Sequence, residues 1–179
     1  MNIVLRSGAK MPALGFGTFI GGKSAPDAYQ ATLTALQSGY RHIDTAQMYG
    51  TEKYVGQAIK DSGIPRDEIF LNSKIYNTCY SPELVPLALE KTLELLQTDY
   101  LDSWLMHTPW AFEPKDRTKA LPKWAVDENK KPFENEDYDM LETWNVVCQQ
   151  GLFFLGEAFR QKNISSSSRL RQGCRRVKF

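Results

Sequence analysis

No stretch of this chain approaches the roughly 20 consecutive apolar residues that a membrane helix requires, so membrane association is not expected. The start, Met1-Asn2-Ile3-Val4, carries neither a basic run nor a long apolar segment, which argues against a secretory signal. Cysteine is sparse: Cys79, Cys148 and Cys174 stand far apart with no C-x-x-C pair. An odd, scattered set fits reduced thiols in a cytoplasmic compartment and excludes a disulfide scaffold, a zinc site or any other metal centre. Cys148, on the apolar side of a helix pattern, reads as a buried thiol. Gly15 and Gly17 do not form a dinucleotide fingerprint, because no G-x-G-x-x-G follows.

A strong charge of one sign is missing too, with 22 basic residues against 21 acidic ones and a net charge of +1. That near-balance hides a split. All the acidic residues lie at or before Glu157, whereas Arg160, Lys162, Arg169, Arg171, Arg175, Arg176 and Lys178 follow with no acid between them. The break coincides with the Ser165–Ser168 run and with the loss of hydrophobic periodicity. Two parts are expected: a domain over 1–150, and a basic tail over 151–179 that is solvated and disordered. The tail lacks interleaved aromatics, so no nucleic acid or lipid partner is assigned to it.

What is present reads as repeated βα units around a parallel sheet. Ile3-Val4-Leu5 and Met11-Pro12-Ala13 flank Ser7-Gly8 as a small hairpin. Leu14–Thr18 is a first strand. The helix after it has Ser24 and Asp27 in capping-box spacing and ends at Gly39. Tyr40–Asp44 is a second strand, followed by a helix from Thr51-Glu52 to Ser62-Gly63. Ile69–Lys74 is a third, followed by a helix capped at Ser81 and running to about Gln97, inside which Pro86 sits awkwardly. Tyr100–His107 is a fourth. Residues 109–136, with four prolines, read as a long loop, functional or disordered. A final helix, with Leu141, Trp144 and Val147 on one face, ends near Gly151.

Side chains alternate between the faces of a strand. Tyr40, His42 and Asp44 therefore share a face, as do Phe70, Asn72 and Lys74, and Leu101, Ser103, Leu105 and His107. An ionisable residue closes each strand, and in a parallel barrel those ends build the active site. Asp44, Tyr49, Lys74 and His107 are expected to converge. Such a set suits proton transfer to a carbonyl. A phenol is a weak acid, with a pKa near 10 in water. An ammonium from Lys74 would make Tyr49 a better donor, Asp44 would hold that ammonium, and a neutral His107 would orient the carbonyl oxygen. None of these groups supplies a hydride, so reduction would need a nicotinamide cofactor. His42, mid-strand, is read as core, and Gly15 and Gly17 as small residues at a crowded barrel floor.

These segments resemble the aldo-keto reductase family in four motifs taken in order. They are Met11–Thr18, Gly39-Tyr40-Arg41-His42-Ile43-Asp44-Thr45-Ala46-Gln47-Met48-Tyr49-Gly50-Thr51-Glu52, Ser73–Thr78 and Tyr100–His107. The resemblance implies a (β/α)8 TIM-type barrel that reduces aldehydes or ketones with NADPH. Asp44, Tyr49, Lys74 and His107 would be its catalytic tetrad. It places Gly17, Thr18, Phe19 and Asp44 at the cofactor, and Phe19, Met48, Tyr76 and Thr108 around the substrate. Trp110 and Phe112 line that pocket or anchor the loop to the rim. The implied partner is a small carbonyl compound, and intact members are monomers.

The resemblance stops near Gln150, where the family continues into a fifth strand. This chain is therefore expected to hold a hairpin and about four βα units, the remainder being lost at a misread exon boundary or in translated non-coding sequence. Most cofactor contacts would then be absent, and the chain as written would reduce nothing at a meaningful rate. The first and fourth strands would carry open edges that invite self-association, with Phe70, Leu101 and Leu105 facing a missing half. The rival expectation is a non-catalytic half-barrel interaction protein with a basic tail.

Overall fold

Gly8, with a φ of 85°, lets the opening hairpin turn back on itself. It joins β1 (Asn2–Val4) to β2 (Lys10–Pro12), paired antiparallel. The computed structural model describes residues 1–5, 8–19, 26–119, 121–123, 125–135 and 138–149. The Ser24 cap and the whole basic tail lie outside these residues, as does the side chain of Cys148.

Beyond the hairpin come β3 (Phe16–Gly17), α1 (Asp27–Gln37), β4 (His42–Asp44), α2 (Glu52–Asp61), β5 (Phe70–Ile75), α3 (Leu84–Leu96), β6 (Ser103–Met106) and α4 (Met140–Gln149). The strands form one sheet in the order β3-β4-β5-β6, every pair parallel. Four parallel strands in chain order, joined by helices, are consecutive units of a (β/α)8-type barrel, incomplete among the described residues. Alternation sorts the faces. Ile43, Leu71, Ile75 and Trp104 are buried in one core with Leu36, Val55, Ile59, Leu84, Val85 and Leu96 of the helices. Asp44 and Lys74 occupy the opposite face. Among the described residues no helix is long and apolar enough to cross a membrane, and no group of His, Cys, Asp and Glu is placed to hold a metal ion.

The N-terminal end of the sheet is tied down by Arg66. Its guanidinium donates to the carbonyls of Ile69 and Tyr100, to Thr98 Oγ1 and to Asp102, and lies 4.0 Å from the centre of the Tyr100 ring. Asp102 in turn accepts from the Leu71 amide. This cluster closes β5 onto β6 at the end away from Asp44, where a barrel holds its stability.

The packing of α2 on α3 turns on one residue. A Cβ on Gly56 would sit 2.6 Å from the carbonyl carbon and oxygen of Leu96, the last residue of α3. Backbone cannot swing aside as a flexible side chain does. Gly56→Ala is therefore expected to destabilise the chain by about 1–3 kcal/mol, the usual range for overpacking. Urea unfolding checks this. A midpoint equal to that of the parent would show that α3 yields at no cost.

Several expectations are corrected. Strand β6 starts at Ser103, leaving Tyr100 and Leu101 ahead of it. Leu101 is 1% exposed within the helix-side core and Phe70 only 7% exposed, packed edge-on to His42, so neither faces a void. Leu105 alone of the three is partly exposed. The Ser81 hydroxyl makes no capping bond; its carbonyl accepts from Leu84 and Val85 instead. Because α3 begins at Leu84, Pro86 falls in its first turn, where a missing N–H costs nothing. Helix α4 buries Thr143 and Val147, an i,i+4 pair, and leaves Leu141 56% exposed. The crowded-floor reading holds for Gly15, whose Cβ would lie 3.0 Å from His42 Nδ1, but fails for Gly17, which has open space. His42 is only partly buried, its Nδ1 3.1 Å from the Pro12 carbonyl.

The described residues of the long loop are held by their own backbone. Glu113 donates to Phe133, Phe133 to Ala125, Ala125 to Glu113 and Asn135 to Ala111, with bridges at Phe112–Glu134 and Val126–Pro132. These pairings satisfy polar backbone that a structureless loop would leave to water.

Candidate active site

Register brings the expected groups together. Asp44, at the end of β4, is the sheet partner of Asn72 in β5, and Lys74 lies two residues further along the same face. Lys74 Nζ reaches both Asp44 oxygens at 2.8 Å, the Thr45 carbonyl at 2.9 Å and Tyr49 Oη at 3.5 Å. Its three protons thus have acceptors, which fixes an otherwise mobile ammonium.

Tyr49 ends a 3-10 turn, Gln47–Tyr49, that follows β4 directly. Its ring lies between Phe19, 5.1 Å away centre to centre, and His107, 5.5 Å away and nearly perpendicular at 79°. His107 stands one residue past β6. Burial lowers its imidazole below the ordinary histidine range, and the charge of Lys74 lowers it further, with Asp44 partly opposing. The ring is thereby neutral at neutral pH. Its Nδ1 is buried without a hydrogen-bond partner.

The remaining expected residues divide. Phe19 touches Tyr49, while Met48 and Trp110 present exposed side chains. Tyr76 is partly buried, its phenol pushed up to about 12 mainly by burial. The Thr108 hydroxyl donates to the Trp110 carbonyl. The Thr18 hydroxyl is buried 3.4 Å from Thr51 Oγ1, and its amide donates to the Asp44 carbonyl. Gly17 is exposed, with open space where a Cβ would be. Phe112 belongs to the loop ladder.

Three polar residues at this site were not anticipated. Asn72 is 5% exposed and donates its amide to Asp44 Oδ1, leaving its own Oδ1 without a partner. Strand parity already puts Asn72 on the Lys74 face, so that signal was available. Gln47 donates to the Ala88 carbonyl and Thr92 Oγ1 and accepts from the Tyr76 amide. Glu52 accepts from Ser73 at 2.6 Å and from Thr92 at 3.5 Å. Gln47 thus joins the tyrosine turn to α3 and to the end of β5, and Glu52 joins α2 to β5 and α3. A groove of about 570 Å³ also exists, but Phe16, Ala31, Ala35 and Tyr40 line it, away from the Lys74 cluster.

A family model described as the aldo/keto reductase family matches residues 13–149. An uncharacterized oxidoreductase of Schizosaccharomyces pombe is 43% identical over 155 residues, covering 82% of this chain and 46% of that protein. The glycerol 2-dehydrogenase (NADP(+)) of Saccharomyces cerevisiae is 40% identical over 148 residues, covering 80% and 45%. An aldose reductase from Schistosoma japonicum superposes with a TM-score of 0.74 at 28% identity, covering 85% of this chain and 50% of the other. The chain spans about half the length of the curated relatives it matches.

Proposed function

The chain belongs to the aldo/keto reductase family, and on that premise we propose that its Asp44–Tyr49–Lys74–His107 cluster delivers the proton in an NADPH-dependent reduction of aldehydes or ketones. One observation carries the reading. Lys74 Nζ is clamped by both oxygens of Asp44 and stands within 3.5 Å of Tyr49 Oη, with a neutral imidazole beside the phenol.

In this reading Tyr49 gives its proton to the carbonyl oxygen as that oxygen gains charge. Lys74 stabilises the phenolate left behind, at short range in a partly desolvated site. Asp44 holds Lys74 charged and in position, and Asn72 steadies Asp44. His107, neutral beside the phenol, orients the carbonyl oxygen. NADPH supplies the hydride when bound, and the residues present suit it. Gly17 leaves open space at the end of β3, Asp44 offers a partly exposed carboxylate, and His107 Nδ1 and Asn72 Oδ1 are buried polar atoms with no partner among the described residues. Gly17, Thr18, Phe19 and Asp44 would hold the nicotinamide side, and Phe19, Met48, Tyr76, Thr108 and Trp110 would border the substrate. The NADP(+) in the name of the yeast relative supports the choice of nucleotide.

The test is aldehyde-dependent loss of NADPH absorbance by an enzyme carrying this segment within a complete barrel. Turnover is expected with NADPH and a short aldehyde. Tight nucleotide binding with no reduction of any aldehyde or ketone would overturn the reading.

A further inference from the structure

We propose that Tyr80 is the positioning residue of His107, holding the backbone that carries the imidazole against Tyr49; this rests on the reductase reading above. Tyr80 lies between β5 and α3 and is 2% exposed. Its hydroxyl accepts from the Thr108 amide at 3.0 Å and donates to the Thr108 carbonyl at 2.9 Å. One hydroxyl thus satisfies both backbone groups of the residue next to His107. Burial raises the Tyr80 phenol, so it stays a donor through the working pH range.

The clamp is itself anchored. The Tyr80 carbonyl accepts from Thr143 Oγ1 of α4, and its ring packs on Tyr138 at 5.3 Å. His107, by contrast, has no side-chain hydrogen bond among the described residues: Nδ1 is unpartnered there and the ring meets Tyr49 edge-on. A ring held by no bond of its own takes its place from the backbone beneath it. β6 borders the sheet among the described residues, and the backbone just past its end is held by Tyr80.

The chain contains two histidines, so a proton–carbon NMR titration of the full 179-residue protein resolves His107 against His42. The groups facing His107 are the Tyr49 ring and the charges of Lys74 and Asp44. In the parent, His107 is expected to titrate below the ordinary histidine range. Tyr80→Phe keeps the ring but leaves both Thr108 backbone groups unpaired. It is expected to admit water and move the His107 midpoint upward. Thr143→Val, which frees the Tyr80 carbonyl and spares its hydroxyl, should move His107 the same way by less. It decides the matter should Tyr80→Phe fail to fold. Tyr138→Phe leaves the Thr108 bonds intact and should leave the midpoint in place.

An unchanged His107 in folded Tyr80→Phe, or an equal shift in Tyr138→Phe, would overturn the proposal. The readout needs no turnover, so the two readings fail separately. A shifted His107, together with no carbonyl reduction by the complete-barrel enzyme carrying this segment, supports the positioning and removes the reductase reading. An unshifted His107 in an active enzyme does the reverse.

Discussion

Tyr49→Phe is expected to slow carbonyl reduction by about 10²–10⁴-fold, the usual contribution of a positioned general acid, while nucleotide affinity and stability stay near those of the parent. The asymmetry follows from what the ring touches. Its contacts with Phe19 and His107 are aromatic and survive the substitution. Only the hydroxyl is lost, and with it the 3.5 Å approach to Lys74 Nζ. The comparison is made in an enzyme carrying this segment, by NADPH absorbance under single turnover and by nucleotide fluorescence for binding. A rate within a few-fold of the parent would take Tyr49 out of the acid role.

The second large effect concerns Glu52, which the proposed chemistry does not use. It is 2% exposed, and burial pushes its carboxyl up to about 7, against the opposing hydrogen bonds from Ser73 and Thr92. A folded-state value raised above the unfolded one means that the native chain holds a proton the unfolded chain releases. The stability this group contributes is fully present below about pH 4.5, falls as pH rises, and is lost once pH passes about 7. At 1.36 kcal/mol per unit the total is about 3 kcal/mol. Glu52→Gln keeps a neutral group against Ser73 and Thr92 and removes the slope. It should be more stable than the parent at pH 8 by up to about 3 kcal/mol and nearly equal to it at pH 4.5. His107 pulls the other way, since its lowered value makes stability rise with pH up to about 6.5, but it cancels in the difference between the two proteins. Urea unfolding at several pH values supplies that difference; parallel curves would show Glu52 ionised at ordinary pH in the folded chain.

The expected self-association bears on how such experiments are handled. Strands β3 and β6 border the sheet with no partner strand among the described residues. Unfolding is accordingly measured at several protein concentrations, with light scattering alongside.

Much of the site was legible before any coordinates. A two-residue alternation is a local property of any strand, so chain order alone puts Asn72 and Lys74 on one face of their strand and leaves Asp44, Lys74 and His107 at strand ends. The helices α1 to α3 follow from their own apolar spacing in the same way. The limits of that reasoning are equally physical. Helix α4 has apolar residues at 141, 144 and 147, yet the face it buries runs through Thr143 and Val147, because Tyr80, 63 residues earlier, offers Thr143 a carbonyl. Asn72 was on the right face, but its bond to Asp44, 28 residues away, depends on the register of β4 on β5. Glu52 resembles any acid in the first turn of a helix until Ser73 and Thr92 close over it. Periodicity along the chain therefore determined which side chains share a face. Which of them meet a partner, and which are stripped of water when they do, was decided by contacts across tens of residues, and hydrogen bonds and desolvation act through those distances in space rather than through separation in sequence.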